Sequence, residues 1–142
     1  MDNIDYEIIE HLQMNGRASV KKLAEKISLT PPAVAERIKK LEEAGIITGY
    51  RAIIDHKKLG WNISALINIT LNANCRKDFL DFINEDQHIV ECHHVTGEFS
   101  MTVRAIFKEM SDLEVMVGKI QQFGNTQTLI ILSSPIDHKN II

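Results

Sequence analysis

Seven basic side chains fall in one short stretch, namely Arg17, Lys21, Lys22, Lys26, Arg37, Lys39 and Lys40, against only Glu25 and Glu36. The whole chain carries a formal charge of −3, so this local excess is a directed surface and not a global bias. Lysines and arginines gathered in this way neutralise phosphates, which gives salt-dependent affinity without sequence choice. Arg17, Lys21, Lys22, Arg37, Lys39 and Lys40 are the predicted phosphate contacts. In the same stretch Pro32 and Ala33 are small enough to pack on a thymine methyl, and Glu36 can accept from a cytosine amino group. Glu36 also stands four residues before Lys40, where an intrahelical ion pair is an equal reading. Ser19, Thr30 and Pro31, at two predicted helix starts, complete the set expected to contact double-stranded DNA.

Other reactive types do not converge. Cys92, His93 and His94 are adjacent, with Cys75 far off in sequence. Neighbouring residues of a strand point to opposite faces, so His93 and His94 cannot easily share one ion. No metal and no cofactor is expected. No GxSxG, phosphate loop or paired His-Glu-His spacing is present, and Ser100 and Ser111 have no visible base. The rival reading is a sheet domain that turns over small molecules, with the helices as dimer glue. It needs a convergent acid, base or nucleophile, and none is visible, so no enzyme is expected. Two cysteines are too few for a disulfide framework. No apolar run reaches the roughly 18 residues of a membrane span, and the acidic Met1–Asp5 start is unlike a signal peptide. A cytoplasmic, nucleoid-associated protein with no membrane partner is the expectation.

Three short helices must hold the basic stretch. Ile4, Ile8 and Leu12 recur every four positions, which predicts a helix over residues 4–14 with Asp2 or Asn3 as its cap. Ser19 is a good N-cap for a second helix with Val20, Leu23, Ala24 and Ile27 on its apolar face. Thr30 caps a third, where Pro31 takes the first helical position at no cost. Val34, Ile38 and Leu41 form its buried stripe. Only Ser28, Leu29 and Thr30 separate the second and third helices, which suits the sharp bend of a helix-turn-helix whose last helix enters the major groove. Residues 46–55 read as extended, giving this unit a winged-helix-like character, and Gly60 marks a turn. The predicted boundaries are 1–48 for the DNA-binding domain, 49–61 for an extended strand and hinge linker, and 62–142 for the second domain.

The second domain changes period. Ile63, Ala65, Ile67, Ile69 and Leu71 alternate as a strand. Phe79, Leu80, Phe82 and Ile83 lie at helical spacing within residues 76–84. Residues 89–95 read as a second strand. After the turn Thr96-Gly97-Glu98, Phe99, Met101, Val103, Ala105 and Phe107 alternate as a third. Ser111 and Glu114 have capping-box spacing for a helix that ends before Gly124. Residues 126–133 form the last strand. This β-α-β-β-α-β order predicts a ferredoxin-like sandwich, so the chain as a whole is α+β. The sheet face without helices carries several apolar or aromatic residues and calls for a second subunit as cover. Ten acidic residues against six basic ones from Trp61 onward support a separate role for this half.

Ile4-Asp5, Gly16-Arg17, Ser19, Leu23-Ala24, Leu29-Thr30, Val34, Arg37, Leu41-Glu42 and Gly45-Ile46-Ile47 together resemble the N-terminal signature of the Lrp/AsnC, or feast/famine, regulators. The second half resembles that family's effector and oligomerisation domain. The resemblance implies a sequence-specific transcriptional regulator. It implies homodimers formed through the sheet and assembly to tetramers or octamers. It also implies response to a free amino acid held near the turn after the second strand, here Thr96, Gly97, Glu98, Phe99 and Ser100. The family often places an aspartate three residues after this glycine. Ser100 stands there instead, and Glu98 is the carboxylate nearest to that role.

Overall fold

The computed structural model describes residues 1–142. The chain divides into two compact units, one of Met1–Ile53 with Ile136–Ile142 and one of Ile54–Pro135.

The first unit contains helices α1 (Asn3–Met14), α2 (Val20–Lys26) and α3 (Pro31–Glu43). Two aspartates start α1 reciprocally: Asp5 N–H donates to Asp2 Oδ1 at 3.0 Å, and Asp2 N–H donates to Asp5 Oδ2 at 2.9 Å. This is a capping box with aspartate in both roles. Ser19 Oγ accepts from Lys22 N–H, and Thr30 Oγ1 accepts from Ala33 N–H, so both predicted helix starts stand where the cap residues put them. The bend between α2 and α3 rests on Ser28, which adopts left-handed φ of 55°. Leu29 N–H then returns to the Ala24 carbonyl at 3.0 Å and closes α2. Ile8, Leu23, Ala24, Val34 and Leu41 are buried together and form the core, with Ile9 beside them. A fully buried aliphatic side chain stabilises by about 1.5–3 kcal/mol, so this small cluster is the main force that fixes α3.

The segment after α3 differs from expectation. No strand forms over residues 46–55, and the unit carries no wing. Gly45 at φ 69° turns the chain back, and the Ile46 and Ile47 N–H groups both return to the Leu41 carbonyl. Tyr50 then donates its hydroxyl to Glu42 Oε1 at 3.0 Å. An extended pattern without a partner strand becomes a strap along the helix end. Residues Ile136–Ile142, expected with the sheet domain, pack with the helical unit, and Ile141 N–H donates to Gln13 Oε1 at 3.0 Å.

The second unit contains β1 (Ile63–Leu71), α4 (Arg76–Glu85), β2 (Ile89–His94), β3 (Met101–Phe107), α5 (Met110–Ile120) and β4 (Gly124–Ile130). The strands lie in the order β2-β3-β1-β4, and every pairing is antiparallel. Phe79 and Ile83 of α4 and Leu113, Met116 and Ile120 of α5 bury Ala65, Ile67, Ile69, Met101, Val103, Ala105 and Phe107. Both helices therefore cover one face, as in a ferredoxin-like sandwich.

Four local expectations are corrected. β3 starts at Met101 and not at Phe99, because Ser100 N–H bonds the Ile69 carbonyl outside the regular ladder. β2 ends at His94, so Val95 lies beyond it. β4 runs from Gly124 to Ile130, since Gly124 already pairs with Leu71. The start of α5 is not built by Ser111 and Glu114. Ser111 lies inside the helix, and Glu109 N–H donates to Asp112 Oδ2, two residues earlier than expected.

Candidate nucleic-acid interface

α3 buries Val34 and Leu41 and half-buries Ala33, Arg37 and Ile38, which leaves Pro32, Ala35, Glu36, Lys39, Lys40 and Glu43 outward. Its N-terminus is open: Thr30, Pro31 and Pro32 are exposed. This geometry follows from the sequence, because the cap at Thr30 fixes where the helix begins and the buried stripe fixes its rotation. Of the residues expected at base edges, Pro32 and Glu36 point outward and Ala33 lies on the flank. Arg17, Ser19, Lys21 and Lys22 are all exposed at and before the start of α2. Ser19 uses its hydroxyl as a cap, and so does Thr30, so their part in an interface is to present backbone and shape.

The charges divide into two kinds. Lys40 Nζ lies 3.5 Å from Glu36 Oε1, and Lys39 Nζ lies 3.6 Å from Glu43 Oε1. Both pairs are open to solvent and follow i,i+4 spacing, so each is weak and easily exchanged for a phosphate oxygen. Glu36 is therefore drawn to Lys40 in the free protein. Arg37 differs. Its Nη1 donates to Asp5 Oδ1 at 2.7 Å and to Asp2 Oδ1 at 3.0 Å, and the Asp5 side chain is only 14% exposed. Arg37, expected as a phosphate contact, has its guanidinium turned to α1, where it holds two carboxylates. The two aspartates sit just before and inside a helix more than thirty residues away, and no short-range pattern links them to Arg37.

Hydrogen bonds hold the carboxyls of Asp2 and Asp5 below the ordinary 3.8. For Asp2 the leading favourable cause is the Asp5 N–H, followed by Arg37. For Asp5 it is the Asp2 N–H and then Arg37. A carboxyl with depressed folded-state pKa adds stability above its unfolded value, and that stability is lost as pH falls through the folded value. The helical unit is expected to lose thermal stability as pH drops below 3.8. Circular dichroism melts across that range check this, and an Asp2→Asn/Asp5→Asn variant should show a flatter acid limb.

The turn expected to hold an effector lies between β2 and β3. Thr96, Gly97 and Glu98 are exposed, with Gly97 at φ 108°, and Phe99 and Ser100 are half-buried. Ser100 is tied to β1: its N–H donates to the Ile69 carbonyl, and its hydroxyl accepts from Leu71 N–H at 3.2 Å. Thr70 Oγ1 donates to the Glu98 carbonyl at 3.0 Å. The turn is thus braced on β1 by backbone and hydroxyl groups, and the Glu98 side chain is its one carboxylate.

The sheet face opposite the helices is more polar than expected and has no aromatic on its strands. Asn68 accepts from Thr102 Oγ1 at 2.8 Å and donates to Gln127 at 3.2 Å. Arg104 grips Glu91 Oε1 through Nε and Nη2 at 3.0 and 2.8 Å. Leu66, Ile106 and Leu129 supply the apolar part, by alternation with the buried positions of β1, β3 and β4. Cys92 lies on the helix-covered face, where burial pushes its thiol up. His93 lies on the opposite face, 3.4 Å from Glu91.

The family model for an AsnC-type helix-turn-helix domain matches residues 1–42, and that for an Lrp/AsnC ligand-binding domain matches residues 64–141. The regulatory protein AsnC of Escherichia coli strain K12 is 32% identical over 96% of this chain and 93% of its own length. The solved structure of Bacillus subtilis LrpC is 32% identical, with a TM-score of 0.92 over 98% of this chain and 99% of that one. A transcriptional regulator from Neisseria meningitidis, solved in complex with L-Met, is 26% identical with a TM-score of 0.91, covering 100% of this chain and 96% of that one. No helix is long and apolar enough to cross a membrane.

Proposed function

Since this chain belongs to the Lrp/AsnC family of DNA-binding transcriptional regulators, and not to a family of enzymes, we propose that it reads specific chromosomal sites through α3 as a homo-oligomer tuned by a free amino acid. The observation that carries this reading is the outward face of α3. An open helix N-terminus with Pro32 and Ala33 close to it is followed two turns later by Lys39 and Lys40, all on a three-helix core. Small side chains near the N-terminus approach base edges, while the lysines, with Arg17, Lys21 and Lys22 on the neighbouring element, grip the sugar-phosphate backbone.

The helix-free face of the sheet is the proposed dimer surface. Its centre of Leu66, Ile106 and Leu129 is ringed by paired polar groups, the composition of a mixed and self-complementary contact. Dimers bring two copies of α3 to successive major grooves, and higher assembly to tetramers or octamers repeats that spacing. The proposed effector site is the turn Thr96-Gly97-Glu98-Phe99-Ser100, where Glu98 offers the charge for an α-ammonium group. The L-Met complex of the Neisseria regulator supports an amino acid as the ligand class. The working place is the cytoplasm, on the nucleoid.

The test is selection of duplex sites from a random pool by the purified chain, followed by footprinting with and without a panel of the common amino acids. Enrichment of a two-fold symmetric site supports α3 as the reader. An unenriched pool overturns sequence reading and leaves an architectural binder. An affinity change with at least one amino acid, absent in Glu98→Gln, supports the effector turn, and indifference to the whole panel removes it.

A further inference from the structure

Arg37 is the one basic residue of α3 whose carboxylate partners lie outside its own helix. Its Nη1 lies 2.7 Å from Asp5 Oδ1 and 2.9 Å from Asp2 Oδ2. The same aspartates cap α1 by bonding each other's N–H groups. The geometry is therefore closed on itself: the first turn of α1 sets the two carboxylates, and they in turn hold the middle of α3. One cation between two carboxylates leaves a local charge of −1. Like charges a few ångströms apart repel by about 1 kcal/mol even in water, so a phosphate gains nothing by approaching this group.

We infer that Arg37 is a positioning residue for DNA reading: clamped by Asp2 and Asp5, it sets the angle of α3 on α1 at which Pro32, Ala33 and Glu36 meet the groove. The placement along the helix suits that role. Val34 precedes Arg37 and Leu41 follows it on the buried stripe, so the clamp lies between two apolar anchors and opposes rotation of the helix about its own axis. Apolar contacts are non-directional. An ion pair with defined hydrogen-bond geometry adds the directional restraint that they lack. The inference rests on the proposed reading of DNA by α3.

The test exploits a difference in sign. Asp2→Asn and Asp5→Asn each remove an anion beside Arg37. Asparagine remains a good N-cap at position 2, so the Asp2→Asn variant folds even where Asp5→Asn does not. Binding to the duplex selected by the wild-type chain and to random-sequence duplex is measured at one salt concentration. If Arg37 positions α3, affinity for the selected site falls by roughly threefold or more, while random DNA binds as before or slightly better. If Arg37 is a phosphate ligand, releasing it strengthens both, and the inference is overturned. If it serves stability alone, the melting temperature falls with neither affinity changed, which also overturns it. Lys39→Ala with Lys40→Ala is the companion measurement. An unenriched pool in the site selection refutes reading by α3 itself, and unchanged binding in the lysine variant refutes its phosphate grip, whereas weakened binding in that variant beside strengthened Asp2→Asn refutes only the clamp.

Discussion

Lys39→Ala combined with Lys40→Ala is expected to lower DNA affinity by roughly two to three orders of magnitude in a dimer while leaving the fold intact. Each phosphate contact contributes about 0.9 to the slope of log affinity against log salt, which near 0.15 M is about a fivefold effect. Two lysines in each of two protomers multiply that effect. The fold should not suffer, because both side chains are exposed and alanine is the better helix former. What the free protein loses is two solvent-exposed i,i+4 pairs, to Glu43 and Glu36, worth about 0.3–0.5 kcal/mol each. Phosphates carry no sequence, so selected and random duplexes should weaken together. Binding isotherms at several salt concentrations check this: a shallower slope is expected, and an unchanged slope would show that neither lysine touches phosphate.

Gly124→Ala is expected to destabilise the sheet unit by about 3 kcal/mol or more, at the upper end of what overpacking costs. A Cβ at this position collides with the Thr70 carbonyl and crowds Leu71 Cα at 3.1 Å. Both atoms are backbone and belong to the central strand β1, so neither can swing aside as a side chain would. Gly124 pairs with Leu71 at the point where β4 joins the sheet, and Asn72 N–H bonds the adjacent Phe123 carbonyl at 2.8 Å. Relief requires β4 to move away, which breaks that junction. For a unit of this size, 3 kcal/mol lowers the melting temperature by roughly 12 °C or more. Calorimetry or thermal circular dichroism reads it directly. A melt within a few degrees of wild type would mean that the chain relaxes around the new methyl.

The starts of α2 and α3 and the presence of the four strands are legible because their causes are local. A Ser or Thr followed by an apolar stripe states where a helix begins and how it is rotated, and the positions of Ser19, Thr30 and Val34 needed no knowledge of the rest of the chain. Strict alternation from Ile63 to Leu71 likewise names a strand with one buried face. The false strand after α3 shows the limit. Residues 46–55 carry extended-type residues, but a strand also needs a partner ladder, and only the assembled unit shows that none is present.

The candidate interface divides in the same way. A capped, basic helix after a tight bend, and a β-α-β-β-α-β domain after it, can be read along the chain, because caps, periodicity and charge clusters act within a few residues of each other. Which partners those charges take is set by the packing of the helices. Lys39 and Lys40 carry the same charge as Arg37 and stand beside it in the chain, yet two aspartates more than thirty residues earlier fold onto Arg37, while the lysines keep only exposed pairs within their own helix. The physical reason is that Coulomb and hydrogen-bonding energies depend on distance in space, and contacts between α1 and α3 have no signature in spacing along the chain. The basic cluster marks the surface proposed to meet DNA. Packing set which of its members stay exposed and which one is turned toward α1.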